Sequence, residues 1–170
     1  PPSARHLGTV RTTGLVATVP LSTRRRVSVR VRNFETSELK VNDADGNPIN
    51  IAAIVVWQVA DTAKASFAVE DYDDFVVVQA ESALRHVAMS HPYDDAAAGE
   101  ESLRGAPEVV SAELAGEGAG RVGGAGVEVI EARISNLAYA PEIAQAMLQR
   151  QQAGAIIAAR ARIVEGAVSM

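Results

Sequence analysis

Two histidines and two carboxylates fall close together: His86, His91, Asp94 and Asp95 include enough donors to hold a zinc ion, since two imidazoles and a carboxylate make a usable set. Their spacing argues against it. A helical zinc pair sits at i and i+4 on one face, whereas here Ser90-His91-Pro92 breaks the helical pattern between the two imidazoles. The group reads first as a polar helix end, and a metal-dependent hydrolase would need a stoichiometric bound metal to become credible.

A second arrangement, Asp43-x-Asp45-x-Asn47, places oxygens at alternate positions, as a calcium loop does. The register fails, because Pro48 stands where such a loop needs Gly and Ile54 where it needs a bidentate Glu. These residues make a turn. A third, Gly118-Ala119-Gly120-Arg121-Val122-Gly123, matches the dinucleotide-binding pattern by letter. Cradling a phosphate requires a strand before the glycines and a helix N-terminus after them, and the flanking sequence offers the reverse order. With no Gly-x-Ser-x-Gly elbow, no Walker run and no cysteine, no catalytic residue, cofactor site or metal site is expected, and cysteine chemistry is excluded.

The elements that would position any site are easier to read. From Ile49 the chain alternates Ile49, Ile51, Ala53, Val55, Trp57, Val59 with Asn50, Ala52, Ile54, Val56, Gln58, Ala60. Period two with β-branched residues on both faces predicts a strand buried on two sides at its centre. Asp45-Gly46-Asn47-Pro48 reverses the chain and pairs Leu39 to Asn42 with it. Residues 8 to 21 read as short strands broken at Gly14 and Pro20, and Arg26 to Phe34 as another with Val27, Val29 and Val31 on one face.

Asp61 and Thr62 suit the cap of a short helical turn through Phe67. A longer helix begins near Asp71, its stripe being Tyr72, Phe75, Val76, Ala80, Ala83, Leu84, Val87 and Ala88. Pro107 opens another, marked by Val110 and Leu114. Gly116, Gly118 and Gly120, then Gly123, Gly124 and Gly126, predict its early fraying. A strand over Val127 to Ile134 follows. The last helix starts at Pro141, with Ile143, Met147, Arg150, Gly154, Ile157, Ala161, Val164 and Val168 at steps of four and three, a coiled-coil seam with two poor positions.

Charge divides the chain. Residues 1 to 34 hold seven arginines and no acid, while the remainder holds nine basic and 21 acidic side chains, so one end is +7 and the other −12. Such a basic end fits an anionic lipid surface or phosphates. Nucleic acid is disfavoured because the first 33 residues contain no Phe, Tyr or Trp to stack on bases. An exposed strand face is the plainer reading, which Arg24-Arg25-Arg26 fits poorly. The longest uncharged run, Gly46 to Ala60, has 15 residues and strand periodicity, short of a membrane span.

Taken together, Gly8 to Leu15, Leu39 to Ala65, Asp71 to His86 with Phe75 and Arg85, and Gly126-Val127-Glu128-Val129 resemble the SPFH (Band 7) domain of stomatins, prohibitins and flotillins, its bacterial members above all. The resemblance covers most of the chain. It implies an α/β (α+β) fold, an antiparallel sheet with helices packed on one side, followed by the start of a long C-terminal coiled-coil helix. Residues 1–138 would form the domain, with membrane-proximal strands in 1–46 and the strand-helix part in 47–138, and 139–170 would begin the coiled coil.

The function implied is a non-enzymatic, membrane-associated scaffold that oligomerises into rings or cages, organises membrane microdomains and modulates membrane proteins such as proteases. Its partners would be further copies of itself, an anionic membrane surface and a membrane-bound protease, with no nucleic acid and no cofactor. An N-terminal anchor ahead of Pro1 would hold it, with the domain on the cytoplasmic side. Val19, Leu21, Arg24, Arg25 and Arg26 are the expected membrane-facing or protomer-contact residues. Ile143, Met147, Ile157, Ala161, Val164 and Val168 are the expected oligomerisation seam. A soluble cage-forming protein like the vault shoulder is the alternative, since that fold needs no bilayer.

Overall fold

The computed structural model describes residues 6–17, 20, 22–94 and 101–168. The chain runs β1 (Arg32–Glu35), β2 (Leu39–Asn42), β3 (Pro48–Val59), α1 (Thr62–Phe67), α2 (Tyr72–Ser90), α3 (Pro107–Val122), β4 (Val127–Tyr139) and α4 (Pro141–Val168). All pairings are antiparallel. β3 is the spine: β4 pairs along one edge, while β1 and β2 lie end to end along the other.

The join between β1 and β2 is made by Thr36, which is buried. Its N–H donates to the Ala53 carbonyl at 2.8 Å, and its hydroxyl accepts from the Ala53 N–H at 3.0 Å. A side chain thus stands in for a missing main-chain acceptor, and the central backbone of β3 stays satisfied where the edge changes strands.

Ile49, Ile51, Ala53, Val55, Trp57 and Val59 all face the helices and are buried. Against them α2 lays Val76, Ala80, Ala83, Leu84, Val87 and Ala88, the stripe its spacing predicts, and α3 adds Val110 and Leu114. Asp71 caps α2 by accepting from the N–H groups of Asp73 (2.9 Å) and Asp74 (3.3 Å). Asp61 caps α1 in the same way, and its bonds from the Lys64 and Ala63 N–H groups hold its carboxyl below the usual range.

Several expectations change. Among the described residues no helix covers the far face of the sheet: Ala52 is buried by its neighbours, but Ile54 is 39% exposed, so the centre of β3 is not enclosed on both sides. Residues 8–17 form no strand, and of Arg26 to Phe34 only the last three residues enter β1. Val29 and Val31 are exposed because nothing pairs with this stretch, whereas Val27 packs near Trp57. β4 extends to Tyr139, five residues past its predicted end, following β3 along its whole length.

The glycine run does not fray. α3 continues through Gly116, Gly118 and Gly120 to Val122, followed by a single 3-10 turn and Gly126 in the left-handed region at φ 72°. Packing on β4 overrides propensity here, with Val110, Leu114, Gly118 and Val122 of the helix buried. A Cβ at Gly118 would meet Val129 Cγ2 at 3.7 Å, an ordinary contact, and at Gly116 or Gly120 would meet nothing. The triple Gly→Ala variant at these positions is expected to gain about 2–3 kcal/mol. Urea unfolding measures this, and an unchanged midpoint would show that α3 cannot accept the added methyl groups.

Candidate functional site

α4 leaves the domain from a rigid root. The Ala140 N–H donates to the Pro48 carbonyl at 2.9 Å, and Pro141 occupies the first helical turn. Lys40 on β2 pairs with Glu142, and that hydrogen bond, helped by the charge, holds the Glu142 carboxyl below its usual range. Tyr93 stacks on Tyr139 with ring centres 3.9 Å apart, and Gln151 Nε2 donates to Asp94 Oδ2 at 2.6 Å. Ile143, Met147 and Gln151, at i, i+4 and i+8, are the half-buried positions of the helix.

Beyond Gln151 every described side chain of α4 is exposed. At 1.5 Å per residue this leaves about 25 Å of helix projecting from the domain. The expected seam is therefore divided. Ile143 and Met147 lie in the half-buried root, Ile157, Ala161 and Val164 are open, and the side chain of Val168 lies outside the described residues. Sequence reasoning missed a second stripe. Ile156 and Ile163 are 55% and 71% exposed, seven residues apart, and lie about 100° around the helix from Ile157 and Val164. Their heptad spacing was the available signal, hidden by a neighbouring stripe of equal length.

Arg24, Arg25 and Arg26 are exposed on a stretch laid along the domain. Arg25 donates to the Glu70 carbonyl at 3.3 Å. Farther on, Arg32 donates to Asp73 at 2.6 Å and stacks over Trp57 at 5.7 Å, so it belongs to the fold more than to the surface. Val19 and Leu21 lie outside the described residues.

The residues first considered for chemistry do not converge. His86 is exposed, while the ring of His91 contacts Glu113 Oε2 at 2.6 Å and the Glu101 carbonyl at 3.1 Å. Asp95 lies outside the described residues, and among the described residues no group of three His, Cys, Asp or Glu could hold a metal. Asp43 is a clamp: its carboxylate accepts from the Asn47 N–H at 2.7 Å, the Asn47 amide at 3.2 Å and the Tyr93 N–H at 3.1 Å. Gly118 to Gly123 close a helix C-terminus, the wrong polarity for a phosphate. No described helix is long and apolar enough to cross a membrane.

The described residues form a helix-backed antiparallel sheet with an exposed basic stretch and a projecting C-terminal helix that exposes Ile156, Ile157, Ile163 and Val164. The chain belongs to the SPFH domain / Band 7 family, whose model matches residues 4–167. This is a family of non-enzymatic, membrane-associated scaffolds. No curated protein matches the chain.

Proposed function

We propose that this domain is the repeating unit of a membrane-bound scaffold that oligomerises into rings or cages, organises microdomains and modulates membrane proteins such as proteases. The observation that carries this reading is the pair of apolar stripes on the projecting part of α4. One stripe serves a two-stranded coiled coil, and a second offers each helix another neighbour, as a closed array requires. The exposed Arg24, Arg25 and Arg26 would rest against anionic headgroups, each worth roughly 1 kcal/mol near the surface. The domain limits, 1–138 and 139–170, are part of the proposal.

Light scattering of the protein in membrane mimetics tests the assembly. Large homo-oligomers are expected, falling to dimers when Ile156 and Ile163 are both changed to Glu; a wild-type monomer overturns the scaffold reading. Co-sedimentation with phosphatidylserine vesicles tests the arginines. The Arg24→Glu, Arg25→Glu, Arg26→Glu variant is expected to bind at least several-fold more weakly, and equal binding would sink the lipid contact.

A further inference from the structure

One edge of the sheet is open over a long distance. Among the described residues, no main-chain hydrogen bond runs from Glu128–Ala138 of β4 to anything except β3. An unpaired edge of this length is a template for another strand. β1 and β2 on the opposite edge have only four residues each.

Near the C-terminal half of β4 the edge borders a groove of about 250 Å³ lined by Tyr93, Leu103, Pro107, Ile134 and Leu137 together with the polar Arg104 and Ser135. The Ser135 hydroxyl is turned to Glu35 on the far side of the sheet, at 2.7 Å. Ser135 is the bulged residue, skipped between the pairs Ala53–Ile134 and Ala52–Asn136, so it has no register partner on β3. Exposed main chain beside a pocket of side-chain size suits strand addition, in which the backbone supplies affinity and the pocket selects a residue.

The chain contains a segment with the complementary needs. Residues 7–17 are unpaired, carry Thr9, Thr12 and Thr13, and expose Leu7, Val10, Leu15 and Val16. Their only charge is Arg11. The connection flanking the groove bears Asp94 and Glu101, Glu108 follows in the first turn of α3, and the groove's Arg104 contacts Asp94 at 3.4 Å. An apolar segment with a single cation matches that rim.

Within its own chain the start of the segment is held at the other end of β4. Thr9 contacts Thr62 of α1 at 3.3 Å and His6 packs on Phe67, while α1 abuts Gly126 at the start of β4. The groove's Ile134, Ser135 and Leu137 lie farther along β4, about 30 Å away at strand rise. We infer that residues 7–17 of one copy add as a strand to the outer edge of β4 of a second copy, placing an aliphatic side chain in the groove at Ile134–Leu137. Donor and acceptor surfaces differ, so the contact is head to tail and propagates. The inference rests on the scaffold reading but uses no part of α4.

Because the chain has no cysteine, every disulfide can be introduced by choice. Full-length Thr12→Cys or Val10→Cys chains are mixed with Ser135→Cys chains and oxidised in solution. A heterodisulfide several-fold above that with a Lys40→Cys control on β2 is expected, and Arg11→Glu on the donor should lower it several-fold. A yield equal to the control overturns the inference, as does a donor segment that is protected only by added phosphatidylserine vesicles. Repeating the mixture with Ile157→Glu and Val164→Glu in both chains separates the two readings. Persistence of the link supports the edge contact even if α4 assembly is lost, and its disappearance overturns it.

Discussion

Replacing Gly126 by alanine is expected to cost at least about 3 kcal/mol of folding stability, from left-handed strain of 1–2 kcal/mol and the loss of neighbouring hydrogen bonds. Gly126 has φ 72°, and a Cβ there would collide with the Asp61 carbonyl oxygen and come within 2.7 Å of Lys64 Cβ. Its own carbonyl accepts from the N–H groups of Ala60 and Asp61, both at 3.0 Å. To make room, α1 must move and release these bonds. A fall in the urea midpoint with unchanged slope measures the effect. Gly124→Ala, where a Cβ meets nothing, is the control and should be near neutral. Gly126→Asn separates the causes: asparagine tolerates positive φ but still has a Cβ, so it should be nearly as damaging as alanine. Recovery with asparagine, or a loss below 1 kcal/mol with alanine, would show that α1 slides away freely.

Gly126 also marks the boundary of what the sequence makes legible. Period-two alternation from Ile49 and the stripe of α2 are local patterns imposed by one dominant buried face, and both elements formed as read. Caps at Asp61 and Asp71 and starts at Pro107 and Pro141 are likewise local, since each meets the needs of a helix's own first turn. The failures are non-local. Whether Ile54 is covered depends on a second layer, which no described helix supplies, and whether Val29 and Val31 pair depends on a partner strand. The glycines of α3 look helix-breaking until β4 is known to lie against Gly118. On α4, the heptad repeat through Ile157 and Val164 was visible in the sequence. Its division at Gln151 was not, because Asp94 is 57 residues away in sequence.

Asp43→Ala is the second change with a large expected effect, about 3 kcal/mol, because hydrogen bonds to a buried carboxylate contribute about 1.5–3 kcal/mol and their loss leaves buried donors unsatisfied. Asp43 is 5% exposed, and its two oxygens hold both the β2–β3 turn, through Asn47, and the N–H of Tyr93 beyond α2. The same junction is tied by the Ala44 N–H donating to the His91 carbonyl at 3.2 Å. Asp43→Asn keeps one acceptor oxygen but turns an amide N–H toward a donor, so about half the loss is expected. The consequence reaches α4, because the Tyr93 ring stacks on Tyr139 and the next residue, Asp94, accepts from Gln151. Hydrogen exchange should therefore accelerate in residues 141–151 of Asp43→Ala well below the unfolding midpoint, while the buried centre of α2 keeps its protection. Exchange that rises uniformly across the chain would mean that Asp43 supports only global stability. A selective rise would make this turn, which has the oxygen spacing of an ion site without its register, the fixture that sets the direction in which α4 leaves the domain.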